Sequence, residues 1–226
     1  MIKNFLIKYF QNISDLINYL FSDTINEKKL LREFMNSQDK VVVFDLGTNL
    51  GTFVDKVVKT FGKNNLQLHL FEPQDQLHEI LQKKFSNIGI INKFGIGKEN
   101  GLYKFYINSI NSQSSFLNNH NIGEIVSEEM VEVKRLDNYI EENEIAKIDL
   151  LKIDIEGKEH DALISMGKYL EEKIAKYIKI EMNFNDKQNF TSVNKLLNDA
   201  GYYLIGFSNM KYYENKLLFV DAYYTC

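Results

Sequence analysis

Short runs of β-branched and aromatic residues, alternating with helical stretches, constrain this chain more than any other feature of its sequence. Five such runs follow residue 40, in an order that builds a parallel sheet covered by helices on both faces. Two more flank a polar turn at residues 208–215 and predict a closing antiparallel hairpin. We therefore expect an α/β domain with a seven-stranded, mostly parallel sheet. The predicted strands are residues 41–46, 67–71, 88–94, 149–153, 177–182, 202–207 and 217–224.

The first 38 residues predict a helical extension ahead of the domain at residues 39–226. Apolar side chains recur there at helical spacing and form one broad face. Polar residues interrupt this segment throughout, so we expect neither a signal peptide nor a membrane span. We expect the apolar face to dock on the domain or on a second subunit, as in a homodimer. A membrane-surface helix, the alternative, would carry a richer Lys and Arg face.

Composition narrows the class of protein. A chain of 226 residues with 44% hydrophobic content can bury the core of one α/β domain with a small extension. Its net charge of -4 provides no basic stripe for a phosphate backbone, so nucleic acid is not an expected partner. The single cysteine, Cys226, has no intrachain partner for a disulfide. These features agree with a cytoplasmic enzyme.

The turn after the first predicted strand carries the first chemical signal. The segment VVVFDLGTNLG places Asp45, Gly47 and Gly51 where the strand leads into a helix, and glycines there let a ligand approach the backbone. A dinucleotide fingerprint would have a third glycine and no carboxylate ahead of it. Asp45 instead favours a cationic ligand such as S-adenosylmethionine, which carries an ammonium and a sulfonium. A purely structural turn remains the alternative.

The second predicted strand ends in an acidic residue at a telling distance. Glu72 follows Gly51 by 21 residues, which matches the position that binds ribose hydroxyls in α/β nucleoside sites. A solvated carboxylate at a strand end is the alternative. Gly97, after the third predicted strand, is a further candidate for cofactor binding.

The fourth predicted strand leads into the segment DLLKIDIEGKEHDAL, which is rich in acids. Asp154 ends this strand at the edge where ligands bind in open α/β sheets. Glu156 opens the next helix, and Glu159 lies on the buried stripe of that helix, where it either acts in the site or stabilises the helix start. His160 lies about 100° around the helix and is either solvated or a proton carrier. A polar excursion at residues 108–119 offers Ser114 and Ser115 to a substrate.

In order and spacing, the segments VFDLGTNLG, LFEP, VEVKRLDNYI, LLKIDIEGKEHDAL and IKIEM resemble the FkbM methyltransferase family. The resemblance covers roughly residues 40–185. It implies a Rossmann-like class I methyltransferase fold, S-adenosylmethionine as methyl donor and a hydroxyl acceptor, often on a sugar. The residues it assigns to the cofactor are Asp45, Gly47, Asn49, Gly51 and Glu72, and the signature acids are Asp154, Glu156, Glu159 and Glu181, with Glu156 and Glu181 directed at the substrate.

Methyl transfer to an alcohol requires that the acceptor oxygen is oriented towards the methyl group and that its proton is removed. Asp154 is the first candidate for the base and His160 the second. The signature acids are also hard oxygen ligands, so Mg²⁺ or Mn²⁺ is an alternative role for them.

Two other functions remain as rivals. A nicotinamide-dependent sugar oxidoreductase or epimerase is disfavoured because the first turn lacks the third glycine. A catalytically silent nucleoside-binding protein is compatible with the sequence. For the enzyme, we expect a nucleotide-linked sugar or a sugar of a surface polysaccharide as acceptor.

Overall fold

The computed structural model describes residues 40–108, 124–184, 190–214 and 216–226. The predicted N-terminal helical extension lies outside these residues, so its docking is not described. Within the described ranges, no helix has the length and apolar character needed to cross a membrane.

The described residues alternate between strands and helices, as the sequence pattern predicts. Their strands are β1 (Val41–Leu46), β2 (Leu66–Phe71), β3 (Gly89–Asn92), β4 (Gly95–Ile96), β5 (Gly101–Asn108), β6 (Ile125–Lys134), β7 (Ile148–Ile153), β8 (Ala175–Asn183), β9 (Tyr203–Tyr213) and β10 (Lys216–Thr225). Their α-helices are α1 (Thr52–Phe61), α2 (Asp75–Phe85), α3 (Leu136–Glu142), α4 (Glu159–Ile164), α5 (Lys168–Glu171) and α6 (Phe190–Asp199).

The main sheet of the described domain has seven strands in the order β3-β2-β1-β7-β8-β10-β9. Neighbours from β3 to β8 are parallel, and β10 is antiparallel to both β8 and β9. The predicted seven-stranded, mostly parallel sheet with a closing hairpin is therefore confirmed. The strand order reverses between β1 and β7, which is where open α/β sheets bind their ligands.

Two predicted boundaries are wrong. The third strand, predicted at residues 88–94, spans only Gly89–Asn92, and the chain then leaves the main sheet so that Gly95 and Ile96 pair with β6. Most of the predicted polar turn at residues 208–215 belongs to β9, because the pairing of β9 with β10 continues through register shifts. Polar composition misled the prediction, since an edge strand tolerates polar side chains.

A second, three-stranded sheet has the order β4-β6-β5, with β5 and β6 antiparallel. Phe105, Val131 and Val133 form a small core on this sheet. The connection from β5 to β6, which contains Ser114 and Ser115, lies outside the described residues, so their predicted substrate contact stays a prediction.

Alternation along the central strand β1 divides the main core into two layers. Phe44 and Leu46 pack in a cluster with residues of α3, α4 and α6, whereas Val41 and Val43 pack with α1 and α2 on the other face. Asp45 follows the same alternation and lies on the α1 face, fully buried. A charged side chain at such a position requires a partner of opposite charge.

Strand register brings the predicted site residues to one edge of the sheet. Leu46 is level with both Phe71 and Ile153, and Ile153 is level with Ile180. The residues that follow these four positions therefore form a row at the carboxyl ends of the strands. They are Gly47, Glu72, Asp154 and Glu181.

Candidate active site

A cleft of about 700 Å³ opens over the carboxyl ends of β1, β2, β7 and β8. This volume lies within the range of about 300–1,000 Å³ that is common for small-molecule sites. Residues of α1 and of the β9–β10 hairpin complete its walls. The row of strand ends thus forms the floor of an open cleft.

The turn after β1 is held tightly against its neighbours. Gly47 has a φ of 77°, and a Cβ atom there would lie 1.9 Å from the backbone oxygen of Asp154. The N–H groups of Gly47 and Thr48 both donate to the Phe71 carbonyl, each at 3.1 Å. This position therefore requires glycine for close approach as well as for its backbone conformation.

Glu72 fastens the same turn to the end of β2. Its Oε2 accepts the N–H of Asn49 at 2.9 Å, and its Oε1 accepts the N–H of Gln74 at 3.0 Å. Its side chain is nearly buried, and burial raises the pKa of Glu72 to about 6, although the two hydrogen bonds oppose this. Each oxygen has further acceptor capacity, and Glu72 lines the cleft. The residue is thus placed for hydroxyl groups of a ligand.

A lysine that the sequence analysis did not single out connects the ends of β1 and β7 in the cleft floor. The Lys152 ammonium lies 3.0 Å from Asp45 Oδ1 and 3.3 Å from Asp154 Oδ2, and it donates to the Gly47 carbonyl at 3.2 Å. Burial disfavours its charged form, but Asp154 and Asp45 more than offset this and raise the pKa of Lys152. A lysine within the otherwise apolar run LLKI was the signal that could have identified it.

The structure places Asp45 differently from the sequence prediction. Its carboxylate is fully buried beneath the cleft and is ion-paired with Lys152, and it is not among the residues that line the cleft. Asp45 therefore lies beneath the cleft floor with Lys152 as its counter-charge, and its predicted contact with the cofactor stays a prediction. Lys152 and Asp154, the other two members of this ion-pair network, both line the cleft.

Three acids meet at the centre of the cleft. Asp154, Glu156 and Glu181 each offer a carboxylate oxygen within 4.8 Å of the others. Burial, followed by the charge of Asp154, raises the pKa of Glu156 to about 8. The same causes raise the pKa of Glu181 to about 9. Near pH 7 the cluster thus offers protonated donors beside acceptors, and a bound cation would have to displace those protons.

Glu159 and His160 both lie outside the lining of the cleft. Glu159 points inward as predicted, and its Oε1 accepts the N–H groups of Ile155 at 3.1 Å and Gly157 at 3.0 Å. Burial raises the pKa of Glu159 to about 7. His160 is half-buried in the first turn of α4. The structure thus favours a loop-holding role for Glu159, whereas the proton-carrier role of His160 stays a prediction.

Two glycines predicted to bind cofactor also lie outside the cleft lining. Gly51 precedes α1 with a φ of 77°, and a Cβ atom there would lie 2.5 Å from the Phe85 ring. A Cβ atom at Gly97 would lie 2.8 Å from Val133. Both positions serve close packing of the elements that shape the cleft.

The β9–β10 hairpin supplies a wall that sequence reasoning did not anticipate. Ser208, Asn209 and Lys211 in β9 line the cleft because this strand extends through the predicted turn. Asp221 in β10 also lines it and is ion-paired with Lys179 at 3.0 Å. The charged residues within the runs IKIEM and FVDAYY could have indicated this buried pair.

The strand order and the position of the cleft are those of a Rossmann-like fold with its ligand site at the strand ends. A methyltransferase FkbM from Methylobacillus flagellatus KT shares this fold, with a TM-score of 0.57 and 14% identity over 83% of this chain. This chain spans 44% of that protein. A putative rRNA methylase from Clostridium thermocellum gives a TM-score of 0.49 at 11% identity and covers 89% of this chain and 97% of its own. A magnesium protoporphyrin IX methyltransferase from Synechocystis PCC 6803, solved with bound SAM, gives a TM-score of 0.45 at 9% identity. The match covers 99% of this chain and 97% of that protein.

The sequence model of the methyltransferase FkbM domain matches residues 45–204, which is most of the chain. The chain therefore belongs to the FkbM methyltransferase family, and the resemblance in its motifs is confirmed. No curated protein sequence matches the chain significantly.

Replacement of Gly47 by Ala tests the close approach that shapes the cleft floor. We expect the free energy of unfolding to fall by more than about 3 kcal/mol, because the added methyl group overlaps backbone and φ is positive. Gly201→Ala is the control: its φ is 82°, but the new Cβ would meet only the flexible end of Lys173. Urea denaturation of both variants checks this, and equal losses of stability would contradict the steric argument.

Proposed function

We propose that the protein is an S-adenosylmethionine-dependent O-methyltransferase that acts on a sugar hydroxyl. The observation that carries this proposal is the cluster of Asp154, Glu156 and Glu181 beside the turn at Gly47 and Glu72 in one cleft. Family membership supplies the reaction class, and the cleft supplies a place for a nucleoside next to a proton acceptor.

The half of the cleft around Gly47 and Glu72 fits the methyl donor. Glu72 would accept hydrogen bonds from ribose hydroxyls while keeping its bonds to the N–H groups of Asn49 and Gln74. Glu72 and Asp154 place carboxylate oxygens beside this turn, where they would attract the positive charges of the methyl donor. Gly51 and Gly97 would support this half through packing rather than contact.

The other half of the cleft fits a polyhydroxylated acceptor. Glu181 is level with Asp221 across β8 and β10, and Glu156 and Asn209 line the same cleft. Amides, carboxylates and protonated carboxyl groups together donate to and accept from sugar hydroxyls. Whether the sugar is nucleotide-linked or part of a surface polysaccharide is a question for the acceptor panel below.

S-adenosylmethionine would supply an electrophilic methyl group from its sulfonium. The protein's task is to orient one acceptor hydroxyl in line with that methyl and to receive its proton. Asp154 remains our first candidate for the base, since it ends β7 at the junction of the two halves. His160 is a weaker candidate because it lies outside the cleft lining.

Transfer of labelled methyl from S-adenosylmethionine across a panel of nucleotide sugars and surface glycans tests the function directly. We expect one acceptor class to gain about 14 mass units per transfer, because a methyl group replaces a hydrogen atom. Tight S-adenosylmethionine binding without transfer to any member would support a silent nucleoside-binding protein. Preferential binding of a nicotinamide cofactor would support the oxidoreductase alternative.

Glu72→Gln tests the cofactor half. The change keeps one acceptor oxygen but removes the charge, so we expect the Kd for S-adenosylmethionine to rise about 10- to 100-fold. Asp75→Asn is the control, because Asp75 forms an exposed ion pair with Lys93 outside the cleft lining. Titration calorimetry measures both, and unchanged affinity in a folded Glu72→Gln protein would remove Glu72 from the site.

Asp154→Asn separates chemistry from binding. Asn preserves the shape but is not a base, so we expect turnover to fall about 10²- to 10⁴-fold while affinity for S-adenosylhomocysteine stays nearly constant. His160→Gln is the comparison and is expected to retain most of the activity. Loss of activity in His160→Gln alone would make the imidazole the base. Chelation that abolishes wild-type activity, with recovery in Mg²⁺ or Mn²⁺, would instead make Asp154 a metal ligand.

A further inference from the structure

Glu156 has a strained backbone within the acid cluster. Its φ of 55° lies in the left-handed region that side chains other than those of glycine, asparagine and aspartate rarely adopt. Gly157 follows with a φ of 99°, so the chain makes a sharp reversal immediately before α4. Conformations of this kind persist only where the surroundings enforce them, and they concentrate at functional sites.

The carboxyl group of Glu159 binds the backbone on both sides of Glu156. One oxygen, Oε1, accepts the N–H of Ile155 at 3.1 Å and the N–H of Gly157 at 3.0 Å, on either side of Glu156. Glu159 is nearly buried, and no side chain provides a hydrogen-bonded cap for α4. Its side chain therefore bridges the two ends of the reversal from the first turn of the helix.

Electrostatics alone would not place a fourth acid here. Asp154, Glu156 and Glu181 already share one small space, and another carboxylate nearby adds repulsion. A carboxyl oxygen accepts two N–H groups whether or not the group is ionised, so the bridge does not depend on charge. A glutamine amide oxygen at this position could therefore accept the same two hydrogen bonds.

We propose that Glu159 is a positioning residue that holds Glu156 in its left-handed conformation and so presents the Glu156 carboxyl group to Asp154, Glu181 and the acceptor. The use of Glu156 in catalysis rests on the proposed function, whereas the bridge formed by Glu159 does not. Glu159 lies outside the cleft lining and acts only through Glu156.

Amide hydrogen exchange tests the bridge without any assay of activity. In Glu159→Ala we expect the amides of Ile155 and Gly157 to exchange at least about tenfold faster, because each loses its acceptor. In Glu159→Gln both amides should stay protected, and the β7 amide of Leu151 serves as the internal reference. Wild-type protection of both amides in Glu159→Ala would overturn the proposal. If that variant does not fold, Glu159→Asp, whose shorter side chain withdraws the oxygen, is expected to give the same faster exchange.

A double-mutant cycle tests whether Glu159 acts through Glu156. We expect Glu159→Ala to lower turnover about 10- to 100-fold with little change in S-adenosylhomocysteine affinity, and Glu159→Gln to retain turnover. Adding Glu159→Ala to Glu156→Ala should then cost less than about twofold more, because the group it positions is already absent. Multiplicative losses, or full activity in Glu156→Ala, would overturn the positioning role. Absence of methyl transfer in the wild type would count against the proposed function, while the exchange result still decides the bridge.

Discussion

The ion-paired ammonium of Lys152 is the interaction on which the rest of the site depends. It lies at the centre of the sheet between Asp45 and Asp154 and also binds the Gly47 carbonyl. Removing a charge from water is costly, and only close partners on several sides make such a position tolerable. Because those partners come from the ends of β1 and β7, the same contacts that neutralise Lys152 fix the geometry of the strand ends.

The cleft combines this rigid floor with strained backbone around its edge. Asn49 and Glu156 have positive φ values, which residues with side chains rarely adopt, and each lies in a loop that follows a strand ending at the cleft. Tight turns bring backbone groups and acids close together, whereas relaxed loops would separate them. Strain at these positions is offset by Glu72 and Glu159, whose carboxyl oxygens each hold N–H groups of the turns.

Charge is distributed in the cleft so that ordered groups remain available to ligands. The buried lysines Lys152 and Lys179 are each neutralised by carboxylates, whereas Glu156 and Glu181 are crowded and have raised pKa values. The cleft therefore offers both hydrogen-bond donors and acceptors to the ligands of a methyltransferase of the FkbM family.

Local sequence patterns were enough to predict the main sheet, its closing hairpin and the strand ends that carry Glu72, Asp154 and Glu181. Hydrophobic periodicity and turn spacing are local properties, so they can be recognised without knowledge of the fold. Tertiary structure alone decided which acids face the cleft. Asp45 and Asp154 look equivalent in the sequence, yet strand register places Lys152 between them and buries only Asp45. The second sheet escaped prediction because β4 pairs with β6, a partner distant in the chain. The length of β9 escaped prediction because its polar residues resemble those of a turn.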